Sequence, residues 1–347
     1  MRESEQAIYD QIERQLGRPV TAVMTIDEAA TAVMARHRIV RFRNSIMIKT
    51  RKPYGQFVPM DKATFDQIAY PLVMGMPTRR INDTFHYLRS TAKDLTANDH
   101  FILFGAGTNH QIVWDMEALE VRTDISPDDC VWRSLYAPMH ITKPVKFIMD
   151  LADGNVELYS DIMQSLAPLI MTKKPDGVIW WAGDGTDSKL AITRALNEIF
   201  PGQLSNISVK QLNGGRSNTS LLNGVLGNIA EDSGQVTNAE IYKSIGAHED
   251  FNMHKYHSQK GIEIRGNVHH VFLVDSAPRF YARSLSISRR THVVPFGHND
   301  KNLAYRLPDN QLGQLVAEMC RYAAAIKHQG YRYEWSGVTH APKLIAA

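Results

Sequence analysis

The residues best suited to chemistry lie in one short stretch, WWAGDGTDSKLAIT, which spans residues 180–193. An apolar run enters a loop that contains Gly183 and Gly185, and the loop ends in Lys189 just before a helix-like segment. Main-chain N–H groups in such a loop converge on an anion, and the amino terminus of the helix adds positive potential. The lysine would reach the β and γ phosphates of a nucleotide. The pattern therefore predicts a phosphate-binding loop.

Two positions of this loop differ from the usual pattern. Ser188 stands where a glycine is expected before the lysine, and Leu190 stands where a hydroxyl group normally holds Mg²⁺. The loop carboxylates Asp184 and Asp187 would oppose a triphosphate unless a cation lies between them and the ligand. Because Gly-Asp-Gly turns are common, an ordinary turn remains an alternative for this segment taken alone.

Acidic and basic residues follow the loop in the order that a nucleotide hydrolase requires. Glu231 and Asp232 end a short strand, where a carboxylate pair would position a metal ion and an attacking water. Asp275 ends a further apolar strand and could sense the nucleotide. The basic candidates for stabilising a transferring phosphoryl group, often from a neighbouring subunit, are Arg283, Arg289 and Arg290. Taken singly, an acid pair can cap a helix and arginines can form surface salt bridges.

A parallel sheet is the element that would position these residues. From residue 145 onwards, helix-like segments alternate with strand-like runs, namely GVIWWAG, GVLGNIAED, HHVFLVDS and RRTHVVPF. This alternation predicts an α/β core with a mainly parallel sheet. FNMHKYHS and GIEIRG flank a tight turn and predict a β-hairpin. The run DNQLGQLVAEMCRYAAAIKHQG predicts a long C-terminal helix.

Chain length and pattern together predict three regions. A chain of 347 residues suggests two or three domains. Residues 1–140 predict a mixed, helix-rich accessory or oligomerisation domain, with strands at RIVRFRNSIMIKT and HFILF. Residues 141–300 predict the nucleotide-binding core, and residues 301–347 predict a C-terminal helical segment.

Composition places the chain among ordinary globular proteins, with 44% hydrophobic and 22% charged residues. A net charge of +3 excludes a polycation, so nucleic-acid contact requires local clusters such as residues 36–52, which equally fit a solvated strand face. No apolar run approaches the roughly 20 residues that cross a bilayer, and no signal core is evident. Cys130 and Cys320 lack metal-site spacing, so we expect a reduced, cytoplasmic location.

The order of these motifs resembles the helicase portion of phage and plasmid primase-helicases and their poxvirus relatives, which are superfamily III helicases on an AAA+ core. WWAGDGTDSKLAIT is similar to the family's Gly-x-Gly-x-Asn-Gly-Lys-Ser-Thr loop, and LLNGVLGNIAED is similar to its acidic strand. VFLVDSAPRF matches a strand that normally ends in Asn before a Pro, and SRRTHVVPF matches an Arg-Arg…Pro-Phe signature. The resemblance, which covers residues 100–330, implies an α/β fold with an AAA+ P-loop core.

The resemblance also implies a ring-shaped homo-oligomer, usually a hexamer, with ATP bound between subunits. Glu231 and Asp232 would then organise Mg²⁺ and water, with Asp232 as a metal ligand, and Asp275 would take the sensor position. Arg289 or Arg290, with Arg283 behind them, would act on a neighbouring subunit. The nucleotide-contacting residues would be Gly183, Gly185, Thr186, Ser188, Lys189 and Leu190.

The hairpin of this family projects into a central channel and grips single-stranded DNA. The corresponding segment here is IYKSIGAHEDFNMHKYHSQKG. Lys255, His257 and Lys260 lie on or near the hairpin tip and would contact the DNA backbone. A hairpin that merely packs at the edge of the domain remains an alternative.

The departures from the family pattern leave the function open. At the site itself the family residues are replaced by Asp187, Ser188, Leu190, Ala191 and Asp275. The favoured hypothesis is an ATP-dependent single-stranded DNA translocase or helicase that serves phage or mobile-element replication with other replication proteins, in a bacterial host cytoplasm. The alternative is a non-hydrolysing AAA+ relative that binds DNA, acts as a loader or inhibits a host replication protein. An unrelated α/β protein with this motif order by chance is a third possibility.

Overall fold

This computed structural model describes residues 24–42, 45–50, 57–73, 76–141, 143–183, 186–213, 222, 224–232, 234–254, 261–264, 266–280, 285–296, 307–336 and 339. The chain divides into two compact units, Met1–Asp99 and His100–Ala347. The domain boundaries predicted at residues 140 and 300 both lie inside the second unit. Among the described helices, none combines the length and the apolar character needed to cross a bilayer.

The first unit packs helices against a four-stranded sheet. Its helices are α1 (Ile26–Arg36), α2 (Lys62–Ala69) and α3 (Thr78–Thr91), and its strands are β1 (Ile39–Phe42), β2 (Ser45–Lys49), β3 (Phe57–Pro59) and β4 (Lys93–Asp94). The strand order is β3-β2-β1-β4, and only the β1–β4 pair is parallel. Buried Ala29, Phe65 and Leu88, one from each helix, share a core with Ile46 of β2. The single basic strand predicted at RIVRFRNSIMIKT is thus two antiparallel strands.

The second unit begins with another four-stranded sheet. Its strands are β5 (Phe101–Phe104), β6 (Ile112–Asp115), β7 (Glu120–Arg122) and β8 (Trp132–Arg133), in the order β7-β6-β5-β8. Two helices follow, α4 (Lys146–Leu151) and α5 (Val156–Leu166). Asp153 and Gly154 separate them with φ of 50° and 76°, a backbone conformation that ends a helix.

The remaining elements build the main sheet. The helices are α6 (Thr186–Ile199), α7 (Val209–Asn213), α8 (Ala239–Gly246), α9 (Leu285–Ser288) and α10 (Asp309–His328), and the strands are β9 (Val178–Ala182), β10 (Leu204–Ser205), β11 (Gly227–Glu231), β12 (Gln235–Val236), β13 (Phe251–His254), β14 (Gly261–Ile264), β15 (His269–Val274), β16 (Arg279–Phe280) and β17 (Thr291–Pro295). Five strands form a parallel sheet in the order β10-β11-β15-β9-β17. β12 pairs with β16, and β13 pairs with β14.

Consecutive tryptophans on β9 show that both faces of this sheet are covered. Trp180 packs against Phe272 with ring centroids 5.0 Å apart, and its Nε1 donates to the hydroxyl of Tyr242 at 2.9 Å. Trp181 points to the other face, where its Nε1 donates to Ser165 Oγ at 3.1 Å. Successive side chains of a strand alternate between faces, so an all-apolar strand indicates a sheet buried on both sides. The predicted α/β fold with a mainly parallel sheet is confirmed.

Candidate functional site

The predicted phosphate loop begins where the interior strand β9 ends and leads directly into α6. Gly183 is the first residue after the strand and has φ of +151°. A Cβ at this position would lie 1.7 Å from the carbonyl oxygen of Phe296. Only glycine therefore permits the main chain to pass so close to the end of β17.

Lys189 lies in the first turn of α6 and is almost fully buried. Its Nζ donates to the carbonyl oxygens of Gly183 at 2.6 Å and Val274 at 2.7 Å. The Oδ1 atom of Asp275 lies 3.7 Å from the same Nζ. Since an ammonium group is costly to bury without partners, these three oxygens offset its desolvation. The lysine thus ties the start of α6 to the ends of β9 and β15.

Asp275 is the first residue after β15, at the same edge of the sheet as the loop. Its side chain is 83% exposed, so the carboxylate faces solvent while it remains beside the lysine. The structure brings these two predicted site residues together. The carboxyl edge of a parallel sheet is also where α/β proteins generally bind ligands.

The two residues of the acidic pair have different surroundings. Glu231 is exposed at the end of β11, and the strand register places it beside Leu273 of β15. Asp232 turns back into the protein, where its Oδ2 accepts from Val209 N at 2.6 Å and its Oδ1 accepts from Gly234 N at 2.8 Å. Asp232 therefore caps α7 and stabilises a turn. Of the two carboxylates, Glu231 is the one that is available to a ligand.

A cavity of about 720 Å³ opens between α6 and the strands β10 and β11. Its walls include Leu190 and Thr193 from α6 and Asn206 and Gln211 from the β10–α7 segment. Among the described residues that line it, Glu231 carries the only charge. The volume lies within the range of small-molecule sites, about 300–1,000 Å³. Lys189 does not line this cavity, so the lysine and the cavity are neighbouring features of one edge.

Asn228 is a residue of this site that the sequence reasoning missed. It is fully buried in β11, and its Oδ1 accepts from Ile207 N at 2.7 Å and from Ser205 Oγ at 2.8 Å. Its Nδ2 donates to the carbonyl oxygen of Ile207 at 2.8 Å. These bonds fix the segment after β10 that forms a wall of the cavity. The available signal was a lone amide inside the apolar strand GNIAE.

Arg289 and Arg290 lie at the opposite edge of the sheet. They precede β17, and the carbonyl oxygen of Arg290 accepts from Val178 N, at the start of β9, at 2.7 Å. Since β9 and β17 run parallel over five residue pairs, roughly 16 Å of strand separates the arginines from Gly183. That separation exceeds the reach of an arginine side chain. The structure therefore does not bring these arginines to Lys189 within one chain.

Several predicted site residues lie outside the described part of the chain. These are Gly185, Arg283, Lys255, His257 and Lys260, together with the side chains of Thr186 and Ser188. The hairpin strands themselves are described, with β13 and β14 paired antiparallel from Phe251↔Ile264 to His254↔Gly261. The predicted hairpin is confirmed, and the roles of its tip residues stay predictions.

The described residues offer no ready Mg²⁺ site. No group of three or more His, Cys, Asp or Glu side chains in this part of the chain is arranged to hold a metal ion. Both carboxylate oxygens of Asp232 accept main-chain hydrogen bonds, and Leu190 has no hydroxyl group. The assignment of Mg²⁺ to Asp232 stays a prediction.

No family model matches the chain, and a search of curated protein sequences gives no match. Among solved structures, the A form apo structure of the NrS-1 C-terminal region is similar at 13% identity over 85% of this chain and 67% of that chain, with a TM-score of 0.48. A further apo structure of that region has 12% identity, the same coverage and the same TM-score. JCV helicase in complex with an acetamide compound has 14% identity over 54% of this chain and 57% of that chain, with a TM-score of 0.33. The functional assignment therefore depends on the geometry of the site.

Proposed function

We propose that this chain is an ATP-dependent single-stranded DNA translocase or helicase of the superfamily III, AAA+ type, working as a ring oligomer in phage or mobile-element replication. One observation carries the proposal. A lysine at the start of a helix, at the carboxyl edge of a parallel sheet, lies 3.7 Å from Asp275 on the next strand. Glu231, an exposed carboxylate, ends the strand beyond it. A nucleotide hydrolase needs a cation at the phosphates and a residue that positions the attacking water, and here the two lie at one edge of the sheet with Asp275 on the strand between them.

The side chains of this chain would divide the work. The Lys189 ammonium would offset phosphate charge, and Glu231 would accept the proton of the attacking water. Mg²⁺, when bound, would neutralise charge on the phosphates. Asp232 already accepts main-chain hydrogen bonds at α7, and Leu190 has no hydroxyl group to hold a metal ion. The proposal therefore rests on Lys189 and Glu231 and assigns the metal no step.

The location of the arginines supports an oligomer within this proposal. Arg289 and Arg290 lie roughly 16 Å of strand away from the loop of their own chain, so they would serve the nucleotide of a neighbouring subunit. The β13–β14 hairpin would present Lys255, His257 and Lys260 to the phosphates of a single strand. A hexamer, partnership with other replication proteins and action in a bacterial cytoplasm belong to the same proposal.

Hydrolysis tests the proposal most directly through Glu231, because this exposed residue can change without disturbing the core. We expect Glu231→Gln to lower the rate of ATP hydrolysis by about 10²-fold or more, since general-base catalysis contributes 10²–10⁴-fold. Release of phosphate with ATP, Mg²⁺ and single-stranded DNA is the measurement. Glu240→Gln, which changes another exposed carboxylate, is the matched control. Equal rates for the two variants, or no hydrolysis by the unaltered protein, would refute the proposal.

A second function, a non-hydrolysing AAA+ binding module, is favoured by the hydrogen bonds of Lys189 and Asp232. Both residues already bond main-chain groups inside the fold, as residues with a structural role do. A module of this kind would bind DNA as a loader or as an inhibitor of a replication protein. It predicts DNA binding that is indifferent to ATP and thermal stability that ATP–Mg²⁺ leaves unchanged. A rise in melting temperature with ATP would count against it.

A further inference from the structure

The segment that follows α10 is fixed to α5 by two buried polar side chains. Gln164 forms two hydrogen bonds of 2.8 Å with the main chain of Glu334, one as donor and one as acceptor. Asp161, which is fully buried, accepts from Ser336 N at 2.9 Å and from Ser336 Oγ at 2.6 Å. Pairing of this kind sets the position of the segment, because buried polar groups are costly to leave unmatched. Residues 331–336 therefore form an ordered platform on the protein.

Aromatic rings lie along this platform. Tyr333 and Trp335 stack with ring centroids 4.4 Å apart, and His292 of β17 packs 5.2 Å from the first ring and 5.1 Å from the second. Gly177 makes room for them, since a Cβ there would lie 2.4 Å from the His292 ring. Tyr331 adds another ring at the start of the segment. All four rings are only partly buried, so ring surface remains open to a ligand.

Positive charge surrounds these rings. Lys173 Nζ lies 4.3 Å from the centroid of the Tyr331 ring, which is a cation–π geometry. Arg289 and Arg332 are exposed, and neither forms an ion pair with any other described residue. With Lys174 and one carboxylate, Asp176, these residues line a cavity of about 370 Å³. The cavity is strongly cationic, although the net charge of the whole chain is only +3.

Two hydrogen-bond donors in the cavity wall have no partner among the described residues. They are the hydroxyl of Tyr333 and the Nε1 of Trp335, and both atoms are buried. Burial, with a smaller contribution from the Asp176 carboxylate, raises the pKa of Tyr333 well above its usual range, so the hydroxyl stays protonated. Because neither atom is accessible from the cavity, a ligand there would contact the exposed ring surface and the surrounding cations rather than these two donors.

We propose that this cationic-aromatic cavity, at the edge of the main sheet opposite the lysine loop, binds a nucleotide unit of single-stranded nucleic acid. An unpaired base stacks on the exposed rings, and the adjoining phosphates pair with Lys173 and Arg332. Stacking on aromatic side chains within a basic groove is the usual means of binding single strands without sequence preference. The cavity volume suits one nucleotide unit, and the cations flanking the cavity suit the phosphates on either side.

Other ligand classes fit this cavity less well. Aromatic cages bind quaternary ammonium groups, but four cationic side chains in the wall would repel such a ligand. A duplex would present no unstacked base to the rings. The residues that line the cavity are different from Lys255, His257 and Lys260, which are predicted to contact DNA, so the cavity adds a second point of contact to the proposed function.

The test measures the binding of a labelled 20-nucleotide oligothymidylate to the full chain by fluorescence anisotropy at low salt. Tyr331→Ala should weaken binding by roughly tenfold, whereas Tyr331→Phe, which keeps the ring, should bind within about twofold of the unaltered protein. Arg332→Ala should weaken binding and reduce the slope of log K against log salt by about 0.7. Lys146→Ala, which removes an exposed cation on α4, is the matched control and should bind normally.

An abasic oligonucleotide of the same length separates stacking from charge. With this strand Tyr331→Ala should have no additional effect, while Arg332→Ala should still weaken binding. Unchanged oligothymidylate binding by Tyr331→Ala, or an equal loss with the abasic strand, overturns the proposal. The binding of ATP and of thymidine monophosphate is measured with the same variants. If Tyr331→Ala weakens the binding of these mononucleotides but not of oligothymidylate, the single-strand assignment is wrong.

Separate experiments test the cavity assignment and the proposed function, so either one can be refuted without the other. Glu231→Gln protein should bind the oligonucleotide normally, because Glu231 lies at the other edge of the sheet. If hydrolysis is absent while Tyr331→Ala still weakens binding, the helicase proposal fails and the cavity assignment stands. If hydrolysis depends on Glu231 while the Tyr331 variants bind alike, only the cavity assignment fails.

Discussion

At the scale of single residues, Lys189 combines a structural role with its proposed chemical one. Its ammonium group is buried and bonds the carbonyl oxygens of Gly183 and Val274. A side chain that joins two strands in this way stabilises the fold whether or not a nucleotide binds. Loss of activity on replacing the lysine would therefore be ambiguous without a measurement of stability.

We predict that Lys189→Met lowers the free energy of unfolding by about 1–3 kcal/mol, because buried carbonyl oxygens would lose their donors. The methionine keeps the length and the apolar stem of the lysine. Urea denaturation, with and without ATP–Mg²⁺, is the measurement. Lys210→Met, on the exposed face of α7, should be close to neutral. If both variants unfold at the same urea concentration, the structural role of Lys189 is wrong.

The sequence predicted where Lys189 lies but not what it bonds. The apolar run, the glycine and the helix-like segment placed it between a strand and a helix, because those are local patterns. Val274 is 85 residues away along the chain, and no local pattern reveals such a partner. For the same reason the sequence did not reveal that Asp232 caps α7, because its partner Val209 lies 23 residues earlier. Long-range partners depend on which strands become neighbours.

At the scale of elements, the positions of the strands along the chain were easier to predict than the order of the strands in the sheet. The apolar runs of β9, β15 and β17 and the hairpin of β13 and β14 follow from side-chain periodicity and turn residues. The order β10-β11-β15-β9-β17 does not, because periodicity reports burial and not adjacency. This order determines that Asp275, on β15, is the acidic residue beside the lysine, whereas Glu231 is one strand further away.

We predict that strand β15 makes the fold sensitive to acid. His270 is fully buried in it, and burial lowers the pKa of the imidazole to about 3. In the unfolded chain His270 therefore takes up a proton below about pH 6.5, whereas in the native chain it stays neutral down to about pH 3. The free energy of unfolding should fall as the pH decreases through this window and should be unaffected by this group above it. Burial also lowers the pKa of His269 well below its usual value, so it adds to the same trend.

His270→Leu tests this trend because it removes one of the titrating groups from β15. Each such histidine contributes up to about 1.4 kcal/mol per pH unit, so the decline between pH 6.5 and pH 4 should become shallower by about that amount. Urea denaturation across this range is the measurement, and the slope, rather than the absolute stability, is the readout. His328→Leu, at an exposed position, should keep the original slope. Identical slopes for both variants would contradict the prediction.

At the scale of the whole molecule, groups proposed for one reaction lie at opposite edges of one sheet. Lys189 and Glu231 lie at the carboxyl edge, and Arg289 lies at the amino edge, with roughly 16 Å of strand between the edges. A single chain therefore cannot assemble the complete set. Two chains can, if the amino edge of one meets the carboxyl edge of the next in a head-to-tail interface, which closes into a ring when the rotation permits.

Mixing variants tests this arrangement of subunits. Glu231→Gln and Arg289→Ala proteins should each lack basal ATP hydrolysis, because each damages every interface of its own oligomer. In an equal mixture, roughly a quarter of the interfaces would combine an intact Glu231 with an intact Arg289, so hydrolysis should return in part. Phosphate release without DNA is the measurement, since Arg289 also lines the cationic-aromatic cavity.

A mixture of Glu231→Gln with Lys189→Met provides the control, because both residues belong to the same edge of the same chain and mixing restores no complete site. Recovery in the first mixture and none in the second would place the arginine on the neighbouring subunit. Failure of the first mixture to recover, or recovery in the control, would contradict a site shared between chains. If the first mixture does not recover, hydrolysis would have to draw its phosphate-stabilising cation from the same chain as Glu231. If the control recovers, Lys189 and Glu231 would have to act from different chains.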